Sequence, residues 1–293
     1  EIKECDWSSD VCSSDLAETW RRFRKSKLAM VGLFTLSIIL LFSIFAGVIT
    51  DYERDAIDQN YQERFLGPSL EHPFGTDDYG RDIFARVLFG SRVSLTIGFT
   101  ATFFSAMIAS AIGSLVAYYG GKVDDIVMRI MDMLMGIPTL LLAIAISASL
   151  GPGVRNLIIA LTISQIPGFT RVVRSAILNI VDMEYVEAAK SYGCSSAYII
   201  AKHILPNAIG TVIVQTTMSV ATQILNTAAL SFLGLGQQPP APELGSMLSD
   251  AKSFMRVSIY GVLFPGLTIA TIALSLNLVG DGLRDALDPK LKN

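Results

Sequence analysis

The amino-acid sequence predicts an all-α membrane protein with six transmembrane helices and both termini cytoplasmic. Three observations predict it. The chain is 51% hydrophobic and only 17% charged over 293 residues, with mean hydropathy +0.49, and a soluble domain carries more charge. Uncharged apolar runs long enough to cross a bilayer recur along it. Arg and Lys gather in alternate connecting segments. The net charge of −3 decides little, because placement outweighs the sum. No basic run interleaved with aromatics suggests nucleic-acid binding.

Residues 6–16, DWSSDVCSSDL, read as translated sequencing adapter rather than protein. Residues 1–16 are therefore set aside as non-native, and the natural chain is expected to begin near Ala17. Without Cys5 and Cys12, Cys194 stands alone and no intrachain disulfide is available.

Trp20 to Lys27 (WRRFRKSK) is a cytoplasmic basic anchor ahead of span 1, Leu28 to Ile49. That run is too long for a cleavable signal peptide, and no small-residue cleavage site follows. Thr50 to Gly90 is polar, acid-rich and expected outside. His72, Asp77, Asp78 and Asp82 have the chemistry of metal ligands. Thr76-Asp77-Asp78 as a helix start and Ile83, Phe84, Val87 and Leu88 as an apolar stripe instead predict an amphipathic interfacial helix, which needs no metal.

Span 2, Val93 to Tyr119, is rich in Gly, Ala and Ser, which permit close helix packing. A tight turn at Gly120 to Asp125 leads into span 3, Ile126 to Leu150, kinked at Pro138. Arg129 and Asp132, three apart, are expected to pair with each other at the near interface. After Gly151-Pro152-Gly153, span 4 runs from Asn156 through Pro167 and Gly168 to Arg171 and Arg174 at the cytoplasmic edge. Span 5, Ala208 to Phe232, carries Gln215, Thr216, Thr217, Thr222, Gln223 and Asn226. Polar groups are costly in lipid, so they should face other helices or a water-filled path. Gln215, Thr222, Gln223 and Asn226 are the path-lining candidates. Gly234 to Arg256 reads as a turn-rich loop, not helical at its centre. Span 6 is Val257 to Gly280, followed by a short polar tail, DGLRDALDPKLKN. With the termini inside, inside segments carry 14 Lys and Arg, two of them Lys290 and Lys292, and outside segments eight.

Between spans 4 and 5, Asp182 to Asn207 (DMEYVEAAKSYGCSSAYIIAKHILPN) is polar yet helix-forming. Asp182 is read as an N-cap, with Glu184 at the positive end of a first helix. Gly193 supplies a left-handed corner. Ser195 or Ser196 caps a second helix with Ala197, Ile200, Ala201 and Ile204 on one face, and Pro206 is expected to stop it. A compact amphipathic knob of this kind needs a partner to dock against.

Glu187-Ala188-Ala189, Gly193 six residues after the Glu, and Ile204-Leu205-Pro206 resemble the EAA motif of importer-type ABC transporter permeases. HPFGTDDYGRD at 72–82, ALSFLGLGQQPPAPELGSML at 229–248, LNLVGDGLRDALDPKL at 276–291 and HILPN at 203–207 look like the C-type permease subunit of dipeptide, oligopeptide and nickel importers. The resemblance implies the type I ABC importer permease fold and a bacterial-type plasma (inner) membrane location. It implies that Glu187, Ala188, Ala189, Gly193, Ile204, Leu205 and Pro206 couple to an ATPase through a groove-bound helix. It also implies a homologous second permease, two ATPase subunits holding ATP and Mg, and an extracytoplasmic solute-binding protein. No G-x-x-x-x-G-K-[ST] phosphate loop occurs in this chain, so no catalysis or cofactor is expected of it. The expected domains are 17–91 (anchor, span 1 and outer segment), 92–282 (permease domain) and 283–293 (tail). Peptides are the expected cargo, with nickel or another small solute as the alternative. An intramembrane enzyme is the remote alternative: it lacks a catalytic group at depth, since His72 and His203 both fall in aqueous segments.

Overall fold

The computed structural model describes residues 18–287, and every regular element among them is helical. The expectations placed on residues 1–16, on Ala17, and on Lys290 and Lys292 lie outside those residues. The long elements are α1 (Lys27–Ile44), α2 (Ile83–Tyr119), α3 (Gly121–Met135), α4 (Thr139–Leu150), α5 (Val154–Val181), α6 (Glu184–Ser191), α7 (Ser196–Phe232), α8 (Leu244–Ala251) and α9 (Tyr260–Leu287). Five of these, α1, α2, α5, α7 and α9, are long and apolar enough to cross a membrane, and the bent pair α3–α4, taken as one span, makes six.

The core forms where α2, α5 and α7 meet. Small residues let the backbones approach: a side chain at Gly113 would press on Val173 and the Thr170 carbonyl, and one at Gly98 on Ile224. Helix α1 lies at the edge and leans on α9, with Gly32 against Ser275 and Leu278 and Ala29 against Gly282. Its other faces expose Leu28, Phe34 and Ile44, as a lipid-facing helix should.

The segments 50–82 and 233–259 gather at one end of the bundle. There Phe65 meets Phe254 at 5.4 Å, and buried Arg86 donates from Nη1 to the carbonyls of Ala56 (2.7 Å) and Pro240 (3.3 Å). The turns 120–121 and 182–195 lie at the opposite end, where the Lys190 ammonium sits 5.2 Å from the Tyr118 ring centre.

Several expectations are corrected. The stretch Ile83 to Gly90 is not a separate interfacial helix. It is the first part of α2 and is buried in protein, with Ile83 and Ala85 fully covered. No breaker divides it from the span, and Asp82 Oδ1, accepting from Ala85 N–H at 3.0 Å, starts the helix there. Thr76 to Asp82 form a turn instead, closed by a Thr76–Asp82 bridge and by Arg81 Nε donating to Asp77 at 2.7 Å. His72 Nδ1 bonds Asp82 Oδ2 at 2.8 Å, so these side chains are occupied with one another.

Span 3 is broken rather than kinked: α3 and α4 meet at 85°. Pro138 has no N–H and bars its predecessor from the helical region, and Gly136 offers no resistance. The centre of 234–256 does hold a helix, α8, because the Glu243 carboxylate caps it by accepting from Ser246 N–H at 2.9 Å. Helix α9 runs through Leu287, so the first part of the expected tail is helical.

Pro206 does not end its helix. A π-helical segment at Ile200–Ile204 resets the hydrogen-bond register, and Pro206 then falls in the first turn of the regular α segment Leu205–Phe232. A missing donor costs little in a first turn. Asp182 ends α5 rather than starting α6, whose cap position is Met183, with no side-chain hydrogen bond.

Candidate functional site

The knob between α5 and α7 is built from two short helices at a corner. Gly193 takes φ +76°, and its N–H donates to the Lys190 carbonyl at 3.0 Å while Cys194 N–H reaches the Ala189 carbonyl at 3.2 Å. Ser195 Oγ accepts from Tyr198 N–H at 3.4 Å and opens the second helix.

One side of the knob is rooted in the bundle. Val186, Ala189, Ile199, Ile200 and Ile204 are buried in the same apolar cluster as Ala109 of α2 and Phe169, Val173 and Ile177 of α5. The inward face of the second helix is thus Ile199, Ile200 and Ile204, while Ala197 and Ala201, expected on that face, are exposed. The β-branched isoleucines win because they bury more apolar area than alanines.

The other side is free. Glu187 and Ala188 point outward, whereas Ala189 packs inward and so serves the knob's own footing. Three tyrosines that motif reading passed over flank the outward face: Tyr192 is 88% exposed at the corner, with Tyr198 and Tyr185 also open. Such aromatics are the residue type that anchors protein interfaces. Partial burial pushes the Tyr185 phenol up. Of the other motif residues, Ile204 is buried, Leu205 half-buried and Pro206 exposed. Helix α7 continues from the knob at Ser196 through the π segment to Phe232, so the knob and a candidate span share one helix.

The two ion pairs beside the knob are not those expected. Asp132 pairs with Arg171, not with Arg129, and Asp124 pairs with Arg174. Partners on one helix three apart lost to partners across α3 and α5, where the planar guanidinium of Arg174 meets both carboxylate oxygens of Asp124.

Where the α3–α4 bend, the middle of α5 and α7 converge there is a cavity of about 410 Å³. All four path candidates, Gln215, Thr222, Gln223 and Asn226, line it. Thr216 and Thr217 instead donate to the carbonyls of Val212 and Ile213 one turn back on their own helix. Ser164, Gln165 and Ser219 also line it and were not singled out from the sequence; their polarity within apolar runs was the available signal. Gln223 Nε2 donates to Gln165 Oε1 and, at 3.3 Å, to the Leu161 carbonyl. A larger cavity, about 680 Å³, lies among residues 49–84. It sits beyond the spans, so the smaller one is the candidate path.

The sequence profile of the family described as "Binding-protein-dependent transport system inner membrane component" matches residues 109–293, and that of the "N-terminal TM domain of oligopeptide transport permease C" matches residues 14–68. The dipeptide transport system permease protein DppC of Alkalihalophilus pseudofirmus is 45% identical over 276 residues, covering 94% of this chain and 90% of that protein. The glutathione transport system permease protein GsiD of Escherichia coli is 45% identical over 275 residues, with the same coverage. Among solved structures, a chain of the inward-facing MetNI methionine ABC transporter superposes with TM-score 0.58 at 19% identity, covering 70% of this chain and 98% of that chain.

Proposed function

The chain belongs to the family of binding-protein-dependent transport system inner membrane components, and from that premise we propose that it carries di- or oligopeptides inward, driven by separate ATPase subunits that engage the 182–207 knob. It is a transmembrane permease subunit of an ABC importer with no catalysis of its own. The observation that carries the coupling role is the two-sided knob. Glu187, Ala188 and the tyrosines face outward, while Val186, Ile199 and Ile204 root the knob among α2 and α5. Gly193, Leu205 and Pro206 complete the coupling element. ATP and Mg are held by two ATPase subunits, a homologous permease completes the path, and an extracytoplasmic binding protein delivers cargo. Both termini are cytoplasmic, in a bacterial inner membrane.

Peptide cargo is favoured over free nickel by the cavity's chemistry. It offers amides and hydroxyls, with no carboxylate, imidazole or thiolate among its lining residues. The names of the relatives, dipeptide and glutathione permeases, support the same choice.

The test is co-purification with the candidate ATPases after Gly193→Leu or Glu187→Arg. Loss of complex or of coupled uptake is expected; survival of both in both variants overturns the docking role. Ser195→Cys in a Cys194→Ser background is expected to react only from the cytoplasmic side, and labelling from outside overturns the orientation.

A further inference from the structure

We propose that Gln223 and Gln165 form a cargo-contact subsite that takes backbone amide groups and is indifferent to the charge of the cargo's side chains. The proposal rests on the peptide reading above. Gln223 is 1% exposed and lines the cavity, yet its Oε1 has no hydrogen-bond donor. A buried amide oxygen left without a donor is costly and rare. Its Nε2 is already committed to Gln165 and to Leu161. The oxygen is therefore the spare group, an acceptor for which no described residue supplies an N–H.

A peptide bond supplies that N–H together with a carbonyl, and the neighbouring side-chain amides of Gln215 and Asn226 can donate to the carbonyl. None of the residues lining the cavity is charged. A fixed charge on the cavity wall would attract one sign of cargo and repel the other. Amides do neither, so the subsite reads the repeating backbone and leaves side-chain charge unread. The Gln223–Gln165 contact also ties α7 to α5. A merely structural lock between those helices is the competing explanation, and the experiment separates the two.

The probe is a set of dipeptides, Ala-Ala, Lys-Ala, Glu-Ala and alanyl-N-methylalanine, the last lacking the peptide N–H. Uptake is measured with the complete transporter and its binding protein in liposomes, each variant as a ratio to wild type for the same peptide, which cancels the binding protein's selectivity. Gln223→Leu is expected to slow the three ordinary dipeptides about tenfold and equally, the loss of about one hydrogen bond, while leaving the N-methyl peptide unchanged. Gln165→Leu, which releases Gln223 Nε2, serves as a second variant should the first not assemble, and is expected to alter the same peptides in the same pattern. An equal loss for all four peptides, or no loss, overturns the subsite. So does a loss that differs between Lys-Ala and Glu-Ala. A wild-type transporter that moves none of the dipeptides overturns the peptide reading itself.

Discussion

Arg174 on α5 holds Asp124 on α3 with Nε donating to Oδ1 at 2.6 Å, and Arg171 holds Asp132 beside it. Apart from Met131, α3 buries none of its residues, and Ile126 and Met133 are both 62% exposed. With so little apolar footing, α3 depends on these pairs to stay against α5. Arg174 and Asp124 are partly shielded, while Arg171 and Asp132 are half exposed. Arg174→Ala is expected to lower stability by about 1–3 kcal/mol and Arg171→Ala by less than about 1 kcal/mol. The reversed pair Asp124→Arg with Arg174→Asp should recover part of the loss. Thermal unfolding in detergent, run as a double-mutant cycle at low and high salt, checks this. The Arg171 effect should fade with salt and the Arg174 effect persist.

The corner glycine separates folding from docking. Gly193 has φ +76°, but a side chain there would meet no described residue within 4 Å. Gly193→Ala should therefore cost only the left-handed backbone, about 1 kcal/mol, and Gly193→Asn less. Melting curves of the permease should show these small losses. Under the proposed docking role, pull-down of the ATPases should survive Ala and Asn and fail with Leu, whose bulk would crowd the docking face.

The sequence carried the number of spans and the knob, because hydropathy and the EAA spacing are local. Gly193 and Ser195 were legible for the same reason: a left-handed corner and an N-cap are decided within four residues. The broken α3–α4 span was half legible, since Pro138 announces a disturbance but not whether a helix bends or swings by 85°. Pro206 misled because the π segment that absorbs it has no composition signal. Asp132 misled because a near neighbour on the same helix is visible in sequence, while Arg171, 39 residues away, needs the fold. The path candidates on α7 were legible as polar residues in an apolar run. All four of them line the cavity, while Thr216 and Thr217, not among the candidates, bond their own backbone.

The crossing of α2 and α7 offers a packing test. A Cβ at Gly98 would sit 2.6 Å from Ile224 Cγ1, a buried branch with no freedom to swing aside. Gly98→Ala is expected to destabilise by about 1–3 kcal/mol through overpacking. Ile224→Ala alone leaves a cavity and should cost about 2–5 kcal/mol. Together they should cost less than the sum, since one makes room for the other. Additive melting shifts would show that the helices already move apart to accept the methyl.

Glu243 gives the pH test. It is fully buried where the loop meets α2, with Oε1 accepting from Ser94 Oγ at 2.6 Å and Oε2 from Ser246 N–H at 2.9 Å. Burial pushes its carboxyl above the ordinary glutamate value, against the pull of those hydrogen bonds. The folded protein therefore favours the protonated acid more than the unfolded chain does. The resulting stabilisation is complete below the unfolded value of about 4.3 and is lost as pH rises through the higher folded value. Wild-type melting temperature in detergent should accordingly fall as pH climbs through that window. Glu243→Gln should flatten this slope and melt above wild type on its alkaline side. The amide keeps both contacts uncharged, with its oxygen accepting from Ser246 N–H and its nitrogen donating to Ser94 Oγ. Glu243→Ala, which strands both donors, should lose about 1–3 kcal/mol at every pH. An unchanged slope in the Gln variant would assign the titration to another group at that end of the bundle. Asp250 is the first to examine, because burial pushes its carboxyl up as well.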